Sequence, residues 1–157
     1  MTDFEARSAE FTGHFTVHAP IDAVFELFSP LGEQWWVPGW SPELLHPSDV
    51  SWAQGQIFRT QEEQGEAIWL VTSLNRESHL VEYHRVEPHR YIARVRVECN
   101  ARDQNTTEVS TAYAFVGLSN KGNDEIKAMT VEAYSDKMRR WKQWISDYMR
   151  RKAQTKP

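Results

Sequence analysis

The run from about residue 123 to residue 151 constrains this chain more than any other stretch. Ile126, Met129, Ala133, Tyr134, Trp141, Trp144, Ile145 and Tyr148 recur there at three- and four-residue intervals, while Lys127, Glu132, Ser135, Asp136, Arg139, Lys142, Gln143 and Arg150 fall mostly on the other side. This spacing predicts one long amphipathic helix of roughly eight turns. A stripe carrying two Trp and two Tyr has to be buried against a large apolar surface. The residues ahead of it read as strands that supply one.

From residue 10 to 19, Phe11, Gly13, Phe15 and Val17 alternate with Thr12, His14, Thr16 and His18, the period-two pattern of a strand. Pro20 stops it, and Ile21, Val24, Phe25, Leu27 and Phe28 give a short helix that ends at Ser29-Pro30. A second short helix is predicted over 31–36. A Pro/Gly-punctuated loop follows, and Trp35, Trp36 and Trp40 crowd this region. Further strands are predicted over 57–62, 66–75, 79–87, 90–101 and 106–116, with a short additional one near 49–52. The brief connections between them make neighbours antiparallel. Residues 1–9 are polar and read as a flexible N-terminus, leaving 10–153 as a single domain.

A chain of 157 residues suits one core. The net charge of −4 leaves no basic footprint for nucleic acid. Cys99 is alone, which excludes an intrachain disulfide and points to a reducing compartment. No window has the length of apolar residues that a membrane span needs, and the N-terminal residues do not form a signal peptide. The expectation is a cytoplasmic monomer or weak homodimer without integral membrane association. His14 and His18 share a strand face but lie opposite the apolar Phe15/Val17 set, His79, His84 and His89 do not keep one face, and no Gly-rich phosphate loop is present, so no metal and no cofactor are expected.

A strand running into Ala-Pro-Ile-Asp-Ala-Val-Phe (19–25) is followed by Pro30-Leu-Gly-Glu through Trp36-Val-Pro-Gly-Trp40. Then come Gly55-x-Ile-Phe58 with Trp69 on the next strand, Tyr83-x-Arg-Val-x-Pro88, and Thr107-x-Val-x-Thr-x-Tyr-x-Phe115 just before the helix. In this order the pieces resemble the START-like (SRPBCC) helix-grip superfamily, which includes birch-pollen-allergen proteins, lipid-transfer domains and polyketide cyclases. The resemblance covers about residues 11–151. It implies an α+β fold: a seven-stranded antiparallel sheet curled around a long C-terminal helix, with two short helices after the first strand. It also implies an apolar cavity between sheet and helix, its mouth closed by the short helices.

Strand alternation assigns an inner face of Val109, Thr111, Tyr113 and Phe115, of Tyr91, Ala93, Val95, Val97 and Cys99, and of Phe58, Thr60, Trp69, Val71, Val81, Tyr83 and Arg85. The residues expected to touch a ligand are Trp36, Trp40, Phe58, Trp69, Tyr83, Arg85 and Tyr113, with Met129, Ala133 and Tyr134 on the helix. Arg85 either snorkels to water or points inward, where it needs an anionic or phenolic partner. Lys137, in the apolar stripe, either snorkels or holds a ligand carboxylate. The leading functional expectation is binding of a small hydrophobic or amphipathic molecule. An alternative is a cyclase or dehydratase-like enzyme using Tyr83, Arg85, Tyr113 and Glu33 or His46. A second alternative is a regulatory module that binds a protein partner through an exposed Trp36/Trp40 patch.

Overall fold

The computed structural model describes residues 3–49 and 51–155. Among them, seven strands form one antiparallel sheet: β1 (Ser8–Val17), β2 (Glu43–His46), β3 (Ile57–Glu62), β4 (Gly65–Asn75), β5 (Leu80–Glu87), β6 (Tyr91–Asp103) and β7 (Thr106–Gly117). The spatial order is β1-β7-β6-β5-β4-β3-β2, a meander from β2 to β7 on which β1 closes by pairing with β7. The helices are α1 (Ile21–Glu26), α2 (Asn120–Lys127) and α3 (Val131–Gln154), with a 3-10 turn at Gly32–Trp35.

The period-two pattern sets the register. Phe58, Trp69, Arg85, Ala93 and Phe115 stand side by side across β3 to β7. In the next row stand Val71, Tyr83, Val95, Tyr113 and Phe11. These rows face inward and, apart from Arg85 and Phe11, are buried, whereas Arg94 and Arg96 face solvent. A one-residue slip would turn both rows to water, so burial itself holds the register.

The predicted single C-terminal helix is two helices. Thr130 caps the second, its Oγ1 accepting from the Ala133 N–H at 3.1 Å, and Ser119 caps the first by accepting from the Gly122 N–H at 3.0 Å. A threonine hydroxyl that takes a backbone N–H in this way starts a new helix rather than continuing the old one. The additional short strand forms at Glu43–His46, not near 49–52, where Val50 lies outside the described residues. It is held to β3 by a two-pronged Arg59–Glu43 pair at 2.7 and 3.0 Å. Trp52 packs instead on Phe25, with ring centroids 4.9 Å apart. β1 begins at Ser8, ahead of the expected start. The Asn123 carboxamide accepts from the Arg7 N–H at 2.8 Å and donates to the Glu5 carbonyl at 2.9 Å.

Two glycines allow close approaches. A Cβ at Gly13 would lie 2.8 Å from Met138 Cγ, so α3 seats directly on β1 there. A Cβ at Gly122 would lie 1.5 Å from the Arg90 carbonyl oxygen, so α2 can press onto the β5–β6 turn.

Candidate functional site

The space between sheet and α3 is occupied largely by aromatic rings. Phe58 and Trp69 stack at 5.5 Å, Tyr83 stands edge-on to both, and Trp40 stands edge-on to both from another side. Trp36 meets Phe28 at 5.6 Å and Trp141 at 5.4 Å, and Tyr113 continues the chain to Tyr134 at 5.7 Å. Edge-to-face contacts of this kind add to the burial of the rings. Where the resemblance implies an open cavity, side chains are packed.

Several of these rings also carry hydrogen bonds. Trp36 Nε1 donates to the Leu27 carbonyl at 2.7 Å, Tyr83 OH to the Phe28 carbonyl at 2.6 Å, and Trp40 Nε1 to the Pro30 carbonyl at 2.7 Å. These carbonyls lie just after α1, in backbone outside any helix or strand ladder, where side chains supply the missing donors. Trp36 is 4% exposed, so the expected exposed Trp36/Trp40 patch does not exist. Its neighbour Trp35 is the exposed one, at 62%, stacked on Tyr148. Of the helix residues expected at a ligand, Tyr134 is buried and its hydroxyl lies 2.6 Å from Thr111 Oγ1. Met129 is half-buried between α2 and α3, and Ala133 is exposed, turned away from the sheet.

Arg85 points inward. Its guanidinium lies over Trp69 at 5.3 Å and Tyr91 at 5.8 Å, and its Nε is 3.3 Å from Glu87 Oε2 without the alignment of a hydrogen bond. Glu87 also pairs with Arg90, which donates through Nε to Glu125 of α2 at 2.8 Å. Of the partners expected for an inward Arg85, the structure supplies the carboxylate, and it is Glu87, two residues on along the same inner face.

Lys137 Nζ sits 4.0 Å from the centre of the Tyr113 ring and 5.3 Å from that of Trp141. Neither it nor Glu33, on the 3-10 turn, is in an ion pair among the described residues. Among those residues no three His, Cys, Asp or Glu converge as a metal site would require. Among the described residues no helix is long and apolar enough to cross a membrane.

No protein-family model and no curated protein matches this sequence. Solved structures do match the fold. Norcoclaurine synthase from Thalictrum flavum, in complex with dopamine and hydroxybenzaldehyde, is similar at 10% identity and a TM-score of 0.64, covering 90% of this chain and 88% of that one. An uncharacterized protein from Rhizobium leguminosarum is similar at 15% identity and a TM-score of 0.67, covering 94% and 97%. Major latex-like protein 151 from Panax ginseng is similar at 12% identity and a TM-score of 0.65, covering 90% and 97%. The chain has the START-like helix-grip fold.

Inside this START-like fold the charges on α3 and on the 3-10 turn act on one another. Both Glu33 and Lys137 keep some surface open to solvent, yet their charged ends lie deep in the mass of the domain. Desolvation pushes the Glu33 carboxyl up to about 8, although Lys137 and Arg85 pull it back. Desolvation likewise pulls the Lys137 amine down to about 7, helped by the Arg85 charge and opposed by Glu33. Burial raises the Tyr83 and Tyr113 phenols, and the Glu33 charge raises both further. Near neutral pH the cluster therefore offers a carboxylic acid that can donate a hydrogen bond. Within range of its charge is an amine that exchanges its proton readily, set against the Tyr113 and Trp141 rings.

Proposed function

We propose that the protein binds a small amphipathic molecule between the sheet and α3. The polar head of the ligand meets Lys137, Arg85 and Glu33, and its apolar body replaces or parts the rings of the Trp40–Phe58–Trp69 group. One observation carries this reading: an amine held over two aromatic faces without an ion pair among the described residues. Burying an unpaired cation is costly, and such costs concentrate at functional sites. The head that suits the cluster is an anion, because a carboxylate beside Lys137 restores the full charge of the amine. The protein is read as acting in the cytoplasm, as a monomer or weak homodimer, without metal or cofactor.

Titration of the tryptophan fluorescence with decanoate and with decanol tests this. Decanoate should bind more tightly than decanol to the native chain, and Lys137→Met should erase the difference by weakening decanoate about tenfold or more, the loss of one buried charged partner. Equal affinities for the two probes, or no saturable binding of either, would sink the reading.

A second reading is favoured by Glu33 and Lys137 both being poised near neutrality, which suits an acid–base pair. The similar norcoclaurine synthase is a synthase solved with two small aromatic molecules. On this reading the chain is a cyclase or dehydratase-like enzyme on the same kind of ligand. It requires a turnover that both Lys137→Met and Tyr83→Phe lower by well over tenfold.

A further inference from the structure

A cleft of about 560 Å³ opens at another place, between the end of α1, the 3-10 turn, β2 and the last turns of α3. Leu31, Leu44, Trp35, Tyr148, Gln56 and Lys152 are among its walls, and none of Glu33, Arg85 or Lys137 is. Gln56 sits just ahead of β3 and is 1% exposed. Its backbone is satisfied on both sides, the N–H by the Ala53 carbonyl at 3.1 Å and the carbonyl by the Val71 N–H at 2.9 Å. Its side-chain Oε1, however, is buried without a hydrogen-bond partner. An orphaned acceptor on a face that elsewhere carries Phe58 and Thr60 weakens the fold for no local gain. The Trp52 indole N–H, also buried without a well-formed bond, has another neighbour in the Tyr83 hydroxyl.

The remaining walls suit a flat molecule. Trp35, though largely exposed, lies stacked on Tyr148 with an interplanar angle of 29°, presenting a planar aromatic face. Two cations and one acid stand at the cleft. Arg76 is committed to Glu26 at 2.9 Å and to the Trp52 carbonyl at 2.8 Å. Lys152, with Nζ 6.0 Å from the Tyr148 ring, has no ion pair among the described residues. We propose that this cleft is a second ligand site for a small planar molecule that, by parting the wall over the buried Gln56 side chain, donates an N–H or O–H to Gln56 Oε1 and directs an acidic group to Lys152. The volume lies within the range of small-molecule sites.

The probe is 4-aminobenzoate, followed by the indole N–H signals of Trp35 and Trp52 in nuclear magnetic resonance titrations of the whole chain. Saturable shifts at these two signals are expected. Benzoate, lacking the donor, and aniline, lacking the acid, should bind more weakly. Gln56→Leu should weaken 4-aminobenzoate about tenfold, the value of one hydrogen bond, while leaving the melting temperature equal or higher. Lys152→Gln, an exposed change that spares the fold, should weaken 4-aminobenzoate about fivefold and leave aniline unchanged. Absence of saturable shifts, or affinity indifferent to both substitutions, would overturn the proposal. So would a melting temperature lowered by Gln56→Leu, which would make the side chain structural. Shifts confined to Trp141, beside Lys137, would assign the probe to the interior cluster and refute this second site independently of the first.

Discussion

Replacing Glu33 by Gln keeps the shape of the side chain and removes its ability to ionise. Below pH 4.5 both the folded and the unfolded chain hold the Glu33 proton, and the carboxyl has no effect on stability. Between 4.5 and about 8 the folded chain still binds the proton and the unfolded chain does not, so native stability falls as pH rises through that window. From pH 4.5 to pH 7, at about 1.4 kcal/mol per pH unit, this loss comes to roughly 3 kcal/mol, and the partial access of solvent to Glu33 reduces it to about 2 kcal/mol. Gln carries no such penalty. Glu33→Gln should therefore be more stable than the native chain by about 2 kcal/mol at pH 7, a rise of roughly 4–8 °C in melting temperature for a domain of this size. At pH 4.5 the two proteins should melt together. Calorimetric scans of both at half-unit steps from pH 4.5 to 8 measure the difference directly and cancel every titration the two chains share. A difference that stays constant across the range, or a native chain more stable than the variant at pH 7, would refute the burial of this carboxyl.

The Lys137 amine gives the mirror-image behaviour. Between about 7 and 10.5 the unfolded chain holds a proton that the folded chain has released, so native stability rises with pH there. Lys137→Met should stabilise by about 2 kcal/mol at pH 7 and below, with the gain fading toward pH 10.5 in the same calorimetric comparison. Gly122→Ala drives a methyl group into the Arg90 backbone, 1.5 Å from its carbonyl oxygen. Denaturant titration should show a loss of about 3 kcal/mol or more. Cys99 is 1% exposed and burial pushes its thiol up to about 12, so an aromatic disulfide reagent at pH 8 should leave the folded protein unlabelled and label it on unfolding.

The inner face of the sheet could be read residue by residue from β3 to β7, because period-two alternation and burial are the same fact seen from two sides. The helix break could not. The apolar spacing of Ile126, Met129, Ala133 and Tyr134 runs through it unchanged, and Thr130 is unremarkable as an interior residue until its hydroxyl is seen to take the Ala133 N–H. β2 carries no alternation of its own, and the exposed edge of β3 selects it through Arg59 and Glu43. Trp35 and Trp36 are neighbours with opposite fates, because a 3-10 turn sends one side chain to water and the other to the Leu27 carbonyl. Glu33 and Lys137 belong to distant parts of the chain, and nothing in the composition of either part announces that each feels the other's charge.

The bonds from Trp36, Tyr83 and Trp40 to the carbonyls after α1 bear on how the interior exchanges with its surroundings. They fasten that segment by side-chain tips, each contributing on the order of 1 kcal/mol, and no sheet ladder runs through it. Leu27 and Phe28 on the same segment are buried in the core, so lifting it would uncover apolar side chains as well as break these bonds. Opening of the interior at this end therefore costs as much as undoing part of the core, and exchange there is slow even while every strand stays paired.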